Sequence, residues 1–590
     1  MLGPKEPRDR FLQQLSLPRA LADCRWFAEK TPWRLSGSET GERAAAYIVD
    51  HLRDAGVKAD LMTFHGYLNF PEPAQCHVKS PEPRQIPCSA FAQIGSTPED
   101  GMIAELVYVG AGAEGDYEGK DVRGKIVLCE LSYAPPRPEK VRIAMSRGAA
   151  GVLMMNWGTD DSALIPLGTV KPVWGNPTPD TIHLMPDIAV LGIARRDGVS
   201  LRSLLQSGRS VTMMIKAHAE RRWMKVSQAT AEVEAADGDG DYVLVSGHMD
   251  AWAAGATDNA SGNSIMMEQA RILQQNRDKL ARSVRFAFWQ AHETGIMEGS
   301  SAYADRYWDD LDAHCVADLN YDSAGMMGAS VWRSDSSSEL LAFHNAVEDA
   351  TIPGVPRKRN KAVRTGDKSF FGIGIPTLCC WMVHTDEQIK AWHGATHGEW
   401  YHSDADTMEI FDPEIYRLHV MVFGGYTWEM ATAKVLPMDF RPVADDYIAR
   451  LQEVHRRMAA RPDAAAVMGL APVVALAEQF RGSAEALEER RRAAAAGDVG
   501  NVPRLNATLK RLSRVLTWVR GTVSGRYGQD PYGLSVLRHD LPNLEVVEPL
   551  LRAAPESHEF HLWATQARRE RNKVSESLRH ATTIIDECLG

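Results

Sequence analysis

Between residues 242 and 435 the chain alternates short apolar strands with amphipathic helices. That alternation confines this part to an α/β layer structure with a largely parallel sheet. The stretches at 242–246 (Tyr-Val-Leu-Val-Ser) and 284–289 (Val-Arg-Phe-Ala-Phe-Trp) are dense in β-branched and aromatic residues and read as strands, with a helix over 263–275 between them. Upstream, residues 11–70 read as helices. Ser38 or Thr40 can cap one whose apolar positions include Ala44, Ala45, Ile48 and Leu52, and Gly56 ends it. Prolines at 71, 73, 81 and 83 then break the pattern and mark a boundary. From 75 to 220 the signals are β-rich, with short buried strands at 125–129, 151–155 and 188–191. The glycines of 110–115 fit a dinucleotide-binding pattern, but Asp-Tyr-Glu-Gly follows where a helix would have to open, so they read as a surface turn. After 436 the pattern turns helical. Tyr447, Leu451, Val454 and Met458, and again Leu505, Leu509, Leu512, Leu516 and Val519, repeat at four- and three-residue spacing, as helices packed in a bundle do.

A chain of 590 residues exceeds one core, so three or four folding units are expected. Its 66 basic and 77 acidic residues leave a net charge of -11, which disfavours nucleic acid and anionic membrane as main partners. The eight cysteines show no paired metal-ligand spacing; Cys379 and Cys380, adjacent in an apolar run, read as reduced core thiols on a buried strand. No apolar run is long enough to span a bilayer, and the charged first ten residues lack the apolar core of a signal peptide. These features set the expectation of a cytoplasmic, reducing location with no membrane partner.

A set of acids and histidines follows the strands or lies in loops, where α/β proteins place their sites. His248 and Asp250 come directly after the first strand, Asp258 opens the following helix, and Glu293 follows the second strand. Asp322 ends the run at 316–322, and His402 lies in Trp-Tyr-His-Ser-Asp-Ala-Asp-Thr at 400–407. Taken singly, each reads as structural: a histidine after a strand, an acid capping a helix. Together, His248, Asp258, Glu293, Asp322 and His402 can give each of two metal ions three protein ligands if one carboxylate is shared. Imidazole and carboxylate suit zinc, and also cobalt or manganese to differing degrees. Asp250, two residues after His248, is placed to accept the second imidazole proton and fix the tautomer.

The stretches at 247–252 (Gly-His-Met-Asp-Ala-Trp), 255–262 (Gly-Ala-Thr-Asp-Asn-Ala-Ser-Gly), 292–295 with 299–300, 319–322, 367–370 with 374–376, and 401–407 resemble, in order and spacing, the co-catalytic zinc peptidases. These include bacterial aminopeptidases, glutamate carboxypeptidase II and the transferrin receptor. Residues 75–220 are similar to the protease-associated insert of the larger members, through Gly-Lys-Ile-Val at 124–127 and Gly-Ala-Ala-Gly-Val at 148–152. The helical tail resembles their dimerisation domain more loosely. The resemblance implies a zinc-peptidase-type three-layer α/β domain with a mostly parallel central sheet, an inserted β-rich domain and a C-terminal helical bundle. Its divisions are 1–74 (N-terminal helical part), 75–220 (insert), 221–435 (di-metal domain) and 436–590 (tail, expected to make a homodimer). It further implies two zinc ions per chain, His248 and Asp322 on one, Glu293 and His402 on the other, and Asp258 bridging. Tyr401 matches a tyrosine whose hydroxyl steadies the oxyanion in several members; its plainer reading is a packing aromatic beside a ligand.

The departure lies at His292, where that family has a glutamate that takes a proton from the attacking water. A neutral imidazole can do similar work, since its ordinary pKa is about 6.5. Three functions follow. The first is a metal-dependent hydrolase of a small amide or short peptide, as an aminopeptidase or carboxypeptidase, with His292 as the replacement base. The second is other chemistry on the same site, a small-molecule amidohydrolase or a lyase in which His292 removes a carbon-bound proton. The third, ranked last because the ligand set is complete, is a non-catalytic binding protein. Three more histidines, His384, His393 and His397, precede His402; they read as ordinary loop residues, one of which could line the substrate pocket.

Overall fold

The computed structural model describes residues 2–362, 366–498, 501–534 and 538–590. Its centre is an eight-stranded sheet in the order Lys58–Leu68, Arg222–Val233, Ser283–Trp289, Tyr242–His248, Cys315–Tyr321, Thr377–Val383, Val331–Ser336, Arg357–Lys361. The four central strands run parallel, and every residue of Tyr242–His248, Cys315–Tyr321 and Thr377–Val383 is buried. Such strands are covered on both faces, which is why they read as unbroken apolar runs. Their alternate residues feed two cores. Val243, Val245, Phe286 and Phe288 pack with Met266, Ala270, Val420 and Phe423 of the helices Ser261–Gln275 and Pro413–Thr432. Tyr242, Leu244, Ala287 and Trp289 pack on the other face with Tyr303 and Leu311 of Glu298–Arg306 and Trp308–His314. The two-residue period of a strand thus builds the three layers, each fully buried large side chain contributing about 1.5–3 kcal/mol.

The sheet is mixed rather than uniformly parallel. Lys58–Leu68, Arg222–Val233 and Val331–Ser336 join it antiparallel. Lys58–Leu68 corrects the helical reading of residues 11–70: the helices are Lys5–Gln14, Leu17–Lys30 and Glu39–Asp54, the last capped by Ser38, and an eleven-residue strand follows. This strand is half exposed and carries Lys58, Asp60, Thr63 and His65, so no apolar run announces it. It leads out of the central sheet into a second eight-stranded sheet spanning residues 75–216, and Arg222–Val233 leads back. The insert therefore leaves and re-enters through two strands paired over eleven residues, which fixes its seat on the domain below.

Beyond residue 436 the helices Arg441–Met458, Ala471–Ala495, Val502–Gly521 and His558–Leu589 share the main core, with Tyr447, Leu451, Leu509, Leu512 and Leu516 inside it. Buried arginines hold the tail down. The Arg514 guanidinium donates to the carbonyls of Leu311, Cys315 and Gly374, and Arg520 meets Glu339 at 3.1 Å. All eight cysteines are free, and Cys379 and Cys380 lie buried on Thr377–Val383.

One buried carboxyl gives the fold a pH dependence. Asp318, in the middle of Cys315–Tyr321, accepts from Ser246 Oγ at 2.7 Å and Thr377 Oγ1 at 3.3 Å, while Lys368 acts on it only from beyond ion-pair distance. Burial pushes its pKa up from 3.8 to about 7. A carboxyl whose folded pKa lies above its unfolded one contributes stability that is complete below the unfolded value and lost as pH rises through the folded value. Asp318→Asn is therefore expected to stabilise the protein more at pH 8 than at pH 5, by a difference on the order of 2 kcal/mol. Melting curves at the two pH values check this, and an equal shift at both would remove the account.

Candidate metal centre

The site forms where the parallel strands end. His248 is the last residue of its strand, Asp322 follows Cys315–Tyr321, and Glu293 lies four residues beyond Trp289. Asp258 precedes Ser261–Gln275, and His402 sits in the loop before Pro413–Thr432. The structure brings these five together. His248 Nε2 lies 2.9 Å from Asp258 Oδ1 and 3.4 Å from Asp322 Oδ1, while His402 Nε2 lies 3.3 Å from Asp258 Oδ2 and 3.4 Å from Glu293 Oε2. Each oxygen of Asp258 thus faces one of two donor groups, His248–Asp258–Asp322 and Asp258–Glu293–His402.

These residues fit a cation. His248 Nε2 and Glu293 Oε1 are buried without an aligned hydrogen-bond partner, although carboxylate oxygens stand close to Nε2. Three carboxylates, two of them buried and Asp322 partly so, also outnumber two imidazoles. Burial works against charge on His402, but Glu293 and Asp258 outweigh it and raise its pKa to about 9; Asp322, Asp250 and Asp258 raise His248 in the same way. A field that pulls protons onto imidazoles is one that a divalent ion would satisfy, and nitrogen with carboxylate oxygen is a zinc donor set.

The supporting residues set the tautomers. His248 Nδ1 donates to the backbone carbonyl of Asp250 at 2.9 Å, leaving Nε2 as the donor atom. The acceptor is thus the backbone carbonyl of Asp250, not its side chain. Its carboxylate stands 3.8 Å away and instead accepts from Glu293 N at 3.0 Å, Ser36 Oγ at 2.9 Å and His292 N at 3.3 Å. Asp406 likewise accepts from the backbone N–H groups of Thr257 (2.9 Å) and Asp258 (3.0 Å). Arg34, fully buried, donates to the carbonyls of Met249, Ala254 and Gly255 and fixes the loop between the first two ligands. Ala253, Ala291, Ser323 and His402 all adopt positive φ, at 49°, 55°, 53° and 55°. Such strain costs about 1–3 kcal/mol per residue and gathers where geometry is imposed by function.

His292 does not join the donor groups. Its ring stacks on His248 with centroids 3.9 Å apart, and its Nδ1 lies 2.9 Å from Asp367 Oδ2. With Nδ1–H donated to Asp367, Nε2 is the atom left for proton transfer. Burial and His248 push its pKa down, Asp367 and Glu293 push it up, and the net direction is up. Asp367 was visible in the sequence only as part of a matching stretch, with no role to single it out.

The inserted domain reaches the centre as well. Leu167 N–H donates to the His402 carbonyl at 2.7 Å, and His402 Nδ1 lies 3.2 Å from the Leu167 carbonyl. Arg137 Nη1 is 3.1 Å from that carbonyl and 3.1 Å from His402 Nδ1. With a cation on His402 Nε2, Nδ1 carries the proton and shares the Leu167 oxygen with Arg137, since an arginine only donates. No local pattern could have flagged Leu167 or Arg137.

Tyr401 stacks on His402 (centroids 4.1 Å) and His397 (4.7 Å) and lines the small cavity, about 100 Å³, that opens on the donor groups. His292, Trp381, Lys368, His397 and, from the tail, Tyr532 line it too. Burial pushes His397 down to about 4, so it faces the cavity neutral. His384 and His393 stand apart: the first bonds the Met327 carbonyl at 3.0 Å, the second Tyr133 and Asp160 of the insert.

A three-layer α/β domain whose strand ends gather imidazoles and carboxylates around one shared aspartate belongs to the class of zinc-dependent peptidases. Residues 229–425 match the model of Peptidase family M28 and residues 102–201 that of the PA domain. Aminopeptidase YwaD of Bacillus subtilis is 27% identical over 402 residues, covering 65% of this chain and 77% of the relative. A probable glutamate carboxypeptidase, VP8 of Zea mays, is 24% identical over 500 residues, covering 71% and 67%. Among solved structures, a Peptidase M28 precursor from Shewanella amazonensis aligns with a TM-score of 0.60 and 20% identity over 73% of this chain and 97% of its own. BSAP, a zinc aminopeptidase from Bacillus subtilis, aligns with a TM-score of 0.55 and 21% identity over 70% and 95%. The match to peptidase family M28 thus falls on the strands and loops that carry the donor groups, and the PA-domain match lies ahead of it in the chain.

Proposed function

We propose that the protein hydrolyses an amide bond of a short peptide or N-acylated amino acid, using two zinc ions and His292 in the part of the proton carrier. The observation that carries this reading is the Asp367–His292 pair beside a complete donor set. His248 and Asp322 would hold one ion, Glu293 and His402 the other, and Asp258 would span both. The chemistry zinc supplies when bound is polarisation of the scissile carbonyl and a lowered pKa for water. His292 Nε2 takes the proton of the attacking water and delivers it to the nitrogen of the leaving amine as the C–O bond forms and the C–N bond breaks. Asp367 keeps Nδ1 protonated and the ring oriented throughout, as a carboxylate does for any histidine base. The Tyr401 hydroxyl, at the cavity wall, donates to the developing oxyanion. The names of the relatives, aminopeptidase and glutamate carboxypeptidase, support peptide-like substrates.

Product formation from a mixed library of dipeptides and N-acyl amino acids, read by mass spectrometry, tests the reading. Zinc-loaded protein is expected to release amino acids, and a chelator to stop it. Zinc-loaded protein that leaves every amide intact would overturn the hydrolase and point to other chemistry on the same site.

A further inference from the structure

Resting on the hydrolase reading, we infer that Lys368 binds a free carboxylate of the substrate, so that the preferred substrates are small amides bearing an acid group next to the scissile bond. Three lysines are buried among the described residues. Lys140 donates to the Ala111 and Tyr133 carbonyls, and Lys171 meets Glu298 and the Gly295 carbonyl. Lys368 is 1% exposed and lines the cavity, and its ammonium, although its charge reaches the buried Asp318 carboxyl, has no hydrogen-bond or ion-pair partner among the described residues. An ammonium removed from bulk water and left without an anion is costly. A lysine held this way at the wall of a reaction cavity is satisfied when an anion arrives.

The loop is built to hold it there. Lys368 N–H donates to the Gly366 carbonyl and Ser369 N–H to the Asp367 carbonyl, both at 2.8 Å, a tight turn entered through Gly366 at a φ of 60°. Ser369 is then gripped from three sides: its Oγ lies 2.8 Å from Trp174 Nε1 of the insert and 2.8 Å from Ser300 Oγ, and Gln529 of the tail donates to its carbonyl at 3.1 Å. Asp367 and Lys368 are thus fixed as a unit, one orienting His292 and the other facing the same space. Charge on the walls agrees. The acids lining the cavity, Glu293 and Asp322, belong to the donor groups, and the remaining charged groups are Lys368 and Arg137. A substrate carboxylate finds an uncommitted cation, whereas a substrate ammonium finds no uncommitted acid among the described residues.

The test uses the zinc-loaded full chain with matched pairs: N-acetylalanine against N-acetylalaninamide, and alanyl-alanine against its C-terminal amide. Wild type is expected to favour the free acids about 10- to 100-fold in kcat/KM, the size of one charge-assisted hydrogen bond. Lys368→Met should erase that preference by raising KM for the acids far more than for the amides, and Lys368→Arg should retain part of it. A lysine that only supports the fold would change acids and amides alike. Calorimetric binding of N-acetylalanine and its amide gives the same comparison without turnover. Acid-selective binding that Lys368→Met abolishes, with no hydrolysis of any pair, would sustain Lys368 and sink the hydrolase. Hydrolysis of acids and amides at equal rates, or a preference that survives in Lys368→Met, would overturn the inference and leave the hydrolase standing.

Discussion

Asp258→Asn is expected to lower activity by about 10³-fold or more, since losing even one preorganised charge-stabilising group costs about 10²–10³. The two oxygens of Asp258 point to different donor groups, at 2.9 Å from His248 Nε2 and 3.3 Å from His402 Nε2. An amide supplies one oxygen and one NH₂, so it can serve one group and must present a donor to the other. The substitution keeps the volume of the side chain, and the backbone N–H bond to Asp406 is untouched. The variant should therefore fold, and elemental analysis should find it depleted of metal. A variant that retains its full metal content and full turnover would show that Asp258 bridges nothing.

Removing His292, the proposed proton carrier, should come next in size. A positioned acid–base group contributes about 10²–10⁴-fold, and His292→Ala is expected to fall in that range through kcat with metal content preserved. Asp367→Asn should lose a smaller factor, because the amide can still meet Nδ1 but as an oxygen without charge. His292→Glu is the instructive variant. It sets a second carboxylate against Asp367 Oδ2, which is buried and 2.9 Å from the present imidazole, so it should be poorly active alone and improve when combined with Asp367→Asn. If His292→Ala turns over normally on the substrate that wild type prefers, the imidazole is a packed ring and not a base.

Much of the donor set was legible because three of its five members follow strands whose burial on both faces forces an apolar run. His248, Glu293 and Asp322 could be found by looking just past Tyr242–His248, Ser283–Trp289 and Cys315–Tyr321. The strands Lys58–Leu68 and Arg222–Val233 could not, because each is partly exposed and carries charge. Proximity in sequence named Asp250 but not its atom: two residues of separation bring its carbonyl, rather than its carboxylate, to the His248 ring. Leu167, Arg137 and Asp367 meet the centre across 75 to 265 positions of chain. Such meetings are decided by how domains seat on one another, which no local spacing records.

The reciprocal bonds between Leu167 and His402 have a thermodynamic corollary. A donor-group histidine bonded across a seam between two domains keeps its orientation only while the seam is closed. Occupancy of the centre is therefore expected to couple to seating of the inserted domain, and by reciprocity whatever free energy one lends the other is returned in full.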